Sequence, residues 1–248
     1  MCIMKKVLAR IGIGNATVDT VLPSDTVRAG ETVDAEVRIE GGSTEQEIGK
    51  IRFELETRYR TEEGYREVDI AQYTLAESLT IQPDERETRA VSLDIPRGTP
   101  VTLGNVDVWV ETELDIELAV DPEDKDYLNV QPTPRLQAVF DALDDLGFSL
   151  HSAECEADPH DVFTASRRFV QEFEFRPTSG PFAGELDELE VVPRPGEDAL
   201  ELHIEVDRRG GVLSELSDLD ERTVQTTVRT TDAGEVRDEL ESLIRANA

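Results

Sequence analysis

The side chains best suited to metal binding or nucleophilic chemistry are few: three histidines and two cysteines in 248 residues. His151, Cys155 and His160 fall within ten positions, beside Glu154, Glu156, Asp158 and Asp161. Imidazole and thiolate are good zinc ligands. Yet a single sulfur, with three and four residues between successive ligands, matches no closed zinc motif. Ala153 and Cys155 alternate with charged residues, so Cys155 reads first as a small buried side chain. A second cluster, Asp121, Glu123, Asp124 and Asp126, offers the hard oxygen ligands that calcium takes. It lacks the glycine and the closing glutamate of an EF-hand loop. The preferred reading is a solvated acidic loop, with Asp124-Lys125-Asp126 as an alternative polar latch between two halves. His203 falls on the wet side of a strand pattern and reads as solvated.

Other catalytic patterns are missing from the sequence. It contains no Gly-x-Ser-x-Gly elbow and no P-loop. Gly12 and Gly14 lack the third glycine of a dinucleotide fingerprint, and no β-α-β pattern surrounds them. The expectation is a non-enzyme with no cofactor, no metal and no catalytic residue. The metal candidates above are its alternatives.

Charge narrows the partners. Asp plus Glu number 55 against 25 Lys plus Arg, a formal net charge of -30. Nucleic acid and anionic membrane attract basic surfaces, so neither is expected. No apolar run approaches the ~20 residues of a membrane span. Met1 to Arg10 is too short and too polar for a signal peptide. Cys2 lies in a terminus expected to fray, so a structural disulfide is not expected and a reducing cytoplasm fits. Lys5, Lys6, Val7, Leu8, Arg10 and Ile11 spell a short basic amphipathic segment. At one or two turns it would give only weak peripheral membrane contact. The acids are spread along the whole chain, from Glu36 to Glu239. A uniform excess suits a concentrated-salt cytoplasm, where carboxylate repulsion is screened over about 3 Å at 1 M salt.

The elements follow from period two. Val33, Ala35, Val37 and Ile39 alternate with charges. So do Ile51, Phe53, Leu55, Thr57 and Tyr59, and Val106 to Val110 leading into Leu114, Ile116 and Leu118. Each run has one apolar and one wet face, as in packed antiparallel sheets. Further strands are expected near 17–22, 68–80, 88–94 and 127–130, with turns at Pro23-Ser24-Asp25, Gly41-Gly42, Glu63-Gly64, Pro83-Asp84 and Pro96-Arg97-Gly98. Trp109 falls on the polar side, over its neighbours' stems or at a domain contact.

Thr133 and Pro134 then open a helix whose stripe is Leu136, Val139, Phe140, Leu143 and Leu146, and Gly147 stops it. It is read as a connector. Strands return at Phe169–Phe175, Leu200–Val206 and Val224–Val228. A last helix starts near Asp232 with Glu235 completing a capping box. Its stripe of Ala233, Val236, Leu240, Leu243 and Ile244 needs its own core, a partner or a dimer mate. The domains expected are 1–130, a β-sandwich, and 131–248, a linker helix, a second β-sandwich and the terminal helix.

The stretches Gly41–Ile48, Leu55–Tyr59, Asp124–Val130, Leu186–Glu190, Glu205–Arg209 and above all Phe169–Gly180 resemble the sporulation-control family of arrestin-like proteins. The similarity runs from about Lys6 to Val228. It implies a mainly β fold of two arrestin-like, immunoglobulin-like sandwiches joined by a short helix. It transfers no catalytic signature, because the matching motifs are turns and strands. The function it implies is that of a cytoplasmic adaptor or regulator that binds a protein partner through sheet edges, loops or the cleft between sandwiches. A metal- or ligand-binding enzyme and a self-assembling homo-oligomer are its rivals. The salt reading predicts a higher melting midpoint in molar KCl than in low salt, measured by circular dichroism; equal midpoints would remove it.

Overall fold

The computed structural model describes residues 16–75, 78–116, 123–158, 168–208 and 221–248. The first half holds β1 (Thr17–Val21), β2 (Thr26–Arg28), β3 (Thr32–Glu40), β4 (Gln46–Thr61), β5 (Gly64–Leu75), β6 (Leu79–Ile81), β7 (Arg86–Asp94), β8 (Val108–Ile116) and β9 (Glu123–Gln131). After it come α1 (Pro134–Asp145), β10 (Phe148–Ala157), β11 (Phe169–Pro177), β12 (Leu186–Pro195), β13 (Leu200–Arg208), β14 (Glu221–Val228) and α2 (Ala233–Asn247).

In the first half β1, β3 and β7 form one antiparallel sheet. β4 pairs with β5, β6 and β8, β8 with β9, and β9 in parallel with β2, making the facing sheet. The alternation puts Val37 and Ile39 on one inner face and Ile51, Phe53, Leu55, Val110 and Leu114 on the other, each 2% exposed or less. The hydroxyls of Thr20 and Thr112 satisfy each other inside this core at 2.7 Å.

In the second half β10 to β14 form an antiparallel meander. Phe173, Leu189, Val191, Leu202, Ile204 and Val206 line its inner face. Among the described residues the layer packed on that face is the pair of helices. Leu136, Val139 and Leu143 of α1 and Val236, Leu240 and Ile244 of α2 complete the same core. The helix read as a connector is therefore a wall of the core, and the terminal stripe is covered by its own chain.

Both helix starts follow their caps. The Thr133 hydroxyl accepts from the Leu136 amide at 3.4 Å, and the Asp232 carboxylate accepts from the amides of Gly234 and Glu235 at 2.9 and 3.0 Å. Gly147 ends α1 at φ +88°; a Cβ there would stand 2.3 Å from the Ser179 carbonyl oxygen, so only glycine fits.

The halves meet at one seam. β10 pairs with β4 in parallel at Glu156 and Arg60, which joins the larger sheets of both halves into one of eleven strands. Side chains cross the seam as well. Cys155 and Phe169 belong to the first core and Val101 to the second.

Phe173, fully buried and edge-on to Phe140 with centroids 4.9 Å apart, tests the placement of β11. Phe173→Asp would bury an unpaired carboxylate at a cost of several kcal/mol. The expected outcome is loss of the cooperative melt; a soluble, cooperatively melting variant would contradict this core.

Candidate functional site

The structure describes five of the seven metal-candidate residues of the sequence, Glu123, Asp124, Asp126, His151 and Cys155. Glu123, Asp124 and Asp126 lie on strand β9 and not on a loop, so successive residues face opposite sides. Asp124 accepts the Thr20 amide at 2.7 Å and ties β9 to β1 within the first half. The latch is thus between two strands of one half. Cys155 is 3% exposed inside the first core. His151 sits at a register shift of β10, exposed, with Nε2 3.9 Å from Glu174 Oε1 on the outer face. Thiol and imidazole therefore do not converge. Asp121, His160, Gly12, Gly14 and the basic segment from Lys5 to Ile11 lie outside the described residues. His203 is half-buried, and burial lowers its pKa.

Trp109 sits on the outer face of β8 yet is 2% exposed. Its indole donates to Glu56 at 2.6 Å. Lys125 Nζ stands 3.7 Å from the ring centroid, a cation–π contact of order 1 kcal/mol, and Tyr127 covers the remaining flank. The stems of its neighbours, not a second domain, hide it. Glu54, Glu56 and Asp69 bring their oxygens within 4.8 Å of one another beside it. Burial first, then the charge of Glu111, pushes Glu56 up to about 7. A proton in this group relieves the repulsion.

The outer face of the second sheet carries a wider acidic field: Glu154 and Glu156 of β10, Glu172 and Glu174 of β11, Glu188 and Glu190 of β12, and Glu205 of β13. Arg176 bridges Glu174 at 2.6 Å and Glu188 at 3.3 Å, and Arg60 pairs with Glu154 at 3.2 Å and with Glu156. Burial and then the neighbouring carboxylates push Glu172 and Glu190 up to about 7 each.

Two concave features lie at the edge of the first sandwich and at the seam. One opens between β5, β6 and β7 on the open side of the first sandwich, about 280 Å³, with Ile51, Leu75 and Leu79 opposite Thr88, Arg89 and Ala90. The other, about 250 Å³, lies at the seam. Loop 97–101, the start of α1, β11 and the end of β12 converge on it. Gln171 positions that loop: its amide donates to the Val101 carbonyl at 2.7 Å and accepts from the Val101 amide at 2.8 Å. The sequence carried a signal for Gln171, a polar residue at an inward position between Phe169 and Phe173.

With this geometry in view, a family model described as SpoOM protein matches residues 4–210. The chain belongs to this family. The sporulation-control protein spo0M of Bacillus subtilis (strain 168) is 41% identical over 213 residues, covering 84% of this chain and 82% of that protein. The crystal structure of Spo0M, the sporulation control protein from Bacillus subtilis, superposes with a TM-score of 0.84 at 36% identity, over 95% of this chain and all of that one. The SpoOM fold here is accordingly mainly β and arrestin-like, with two helices. No described helix is long and apolar enough to cross a membrane.

The acidic field gives a pH test. Glu172 sits at its ordinary 4.5 when unfolded and at about 7 when folded. Between those values the folded state binds more protons, so this group's contribution to stability falls as pH rises through the window. Glu172→Gln is therefore expected to raise the melting midpoint at pH 8 by about 2–4 °C, for roughly 1 kcal/mol after solvent screening. The gain should vanish at pH 4.5. A gain independent of pH, or none at pH 8, would contradict the assignment.

Proposed function

We propose that this SpoOM-family chain is a non-enzymatic regulatory adaptor that binds an extended segment of a protein partner. The family supports a regulatory role, since its named relative is a sporulation-control protein. The observation that carries the binding mode is the open side of the first sandwich. Among the described residues β7 pairs as a strand with β3 alone, and β5 with β4 alone. A segment that pairs with β7 satisfies its outer backbone groups and sets every second side chain over Leu75 and Leu79, which line the 280 Å³ recess between the two edges. The Tyr73 hydroxyl of β5 donates to the Asp94 carbonyl of β7, a side-chain link between the two strands.

This recognition needs no ionic contact, which suits molar salt, where surface charges are screened. The partner is cytoplasmic on this reading, and the chain meets neither nucleic acid nor membrane. The test is affinity capture of the tagged protein from a lysate of its own source in molar KCl, with a parallel capture by Leu79→Glu. Leu79 is only partly buried, so this variant is expected to melt within a few degrees of wild type. A stoichiometric protein retained by wild type and lost with Leu79→Glu is the expected result. A partner retained by both would move the binding surface away from this edge, and capture of the chain alone would favour self-assembly.

A further inference from the structure

The cavity at the seam combines features that no structural role in the fold explains. Its walls are mixed: Val101, Leu136, Phe169 and Val170 with Pro100 and Pro193 supply the apolar part, beside Thr99, Thr133 and Gln171. Two arginines, Arg97 and Arg194, are among its lining residues, and both are exposed. In a chain with 55 acids, Arg97 forms no ion pair among the described residues; its side chain, guanidinium included, lies over Gly30, where an added Cβ would stand 3.0 Å from its Cγ and 3.2 Å from Nη1. Arg194 reaches only Glu201, at 3.6 Å with both side chains about half exposed, which fixes it weakly. Thr99, in the wall beside Arg97, is 4% exposed, and its hydroxyl has no hydrogen-bond partner among the described residues. Buried hydroxyls are nearly always satisfied. Finally, the walls come from both halves, held together by Gln171.

We infer that the seam cavity is a binding site for a small amphiphilic anion, whose apolar body fills the cavity while its carboxylate or related anionic head lies between Arg97 and Arg194. The chemistry follows from the lining. The apolar part of the walls selects an apolar body. Two cations at the exposed rim of an otherwise acidic protein select the sign of the head, and a planar carboxylate suits a guanidinium. A body of about 250 Å³ corresponds to a chain of roughly eight carbons, at ~30 Å³ per water-sized unit of volume. Of the polar lining residues, the Thr133 hydroxyl accepts from the Leu136 amide and Gln171 is bonded to Val101, which leaves the Thr99 hydroxyl for the head. This site is separate from the β7 edge, so it stands whether or not that edge binds a partner.

The probes are octanoate and octylamine, equal in apolar body and opposite in charge, titrated calorimetrically into the full chain in molar KCl. Wild type is expected to bind octanoate saturably at one per chain, at least tenfold more tightly than octylamine. The double variant Arg97→Gln, Arg194→Gln changes only exposed side chains and leaves the apolar walls intact. In it the preference for octanoate is expected to disappear, with an unchanged melt of the unliganded protein. Thr99→Val, nearly isosteric, is expected to weaken octanoate several-fold. No saturable octanoate binding, equal affinity for the two probes, or an undiminished preference in the double variant would each overturn the site.

Discussion

The arrangement of the whole molecule depends on how two β-rich halves with separate cores are held at one seam. Backbone pairing between them is slight: β4 and β10 share a single bridge at Arg60 and Glu156. The side-chain amide of Gln171 adds what the backbone does not. It makes both a donor and an acceptor bond to Val101 and so behaves like one more residue of a paired strand. Around it, Tyr59 stacks on Phe169 with centroids 5.7 Å apart. Arg28 reaches across to the Pro132 carbonyl at 2.6 Å. Gly104 lets its loop lie against β10, where a Cβ would meet the Ala153 carbonyl oxygen at 2.7 Å. Partly buried bonds of this kind matter through what their loss would leave behind, two unpaired backbone groups and an unpaired amide, at about 1–3 kcal/mol each.

The second constraint is charge. A chain at -30 must place its acids on faces that its strands expose, and strand alternation does so by confining them to the outer side of each sheet. The consequence is like charge on neighbouring strands, as at Glu190 opposite Glu205 and Glu54 opposite Glu111. The fold answers in two ways. Arginines bridge pairs of carboxylates, as Arg52 does with Glu113 and Asp115 and Arg176 with Glu174 and Glu188. Where burial adds to the charge of neighbouring carboxylates, the carboxyl is pushed up to about 7, as at Glu56, Glu172 and Glu190. Around Trp109 the same economy is visible at one residue: a glutamate takes its N–H and a lysine covers its face.

The elements were legible where the periodicity ran clean. Alternation marked β3, β4, β8, β11 and β13, and the caps Thr133 and Asp232 marked both helix starts. What the sequence left open was the purpose of the departures from alternation. Gln171 and Trp109 each stand on the face their polarity contradicts, and each turns out to serve a contact made by tertiary structure. The roles of the helices were hidden for another reason. A stripe such as Val236, Leu240 and Ile244 declares that it must be covered without declaring by what, and the covering surface comes from strands far away in the chain. The acidic run at Glu123 to Asp126 read as a loop because its composition overrode its pattern; pairing with β8 made it a strand. The seam cavity had no local signature at all, since its walls are drawn from five separate segments.

Together these constraints decide where recognition has room to occur. The outer faces of both large sheets are covered by carboxylates and their bridging arginines, a surface that molar salt screens into indifference. The inner faces are filled. What remains are backbone groups along strands paired on one side, and the seam, where apolar walls and two weakly engaged arginines meet. Both recognise by shape and by short-range contacts, which screening leaves intact. Apolar and hydrogen-bonding groups kept in such recesses recognise independently of surface charge, and among the described residues the edge of the first sandwich and the junction of the two cores offer them.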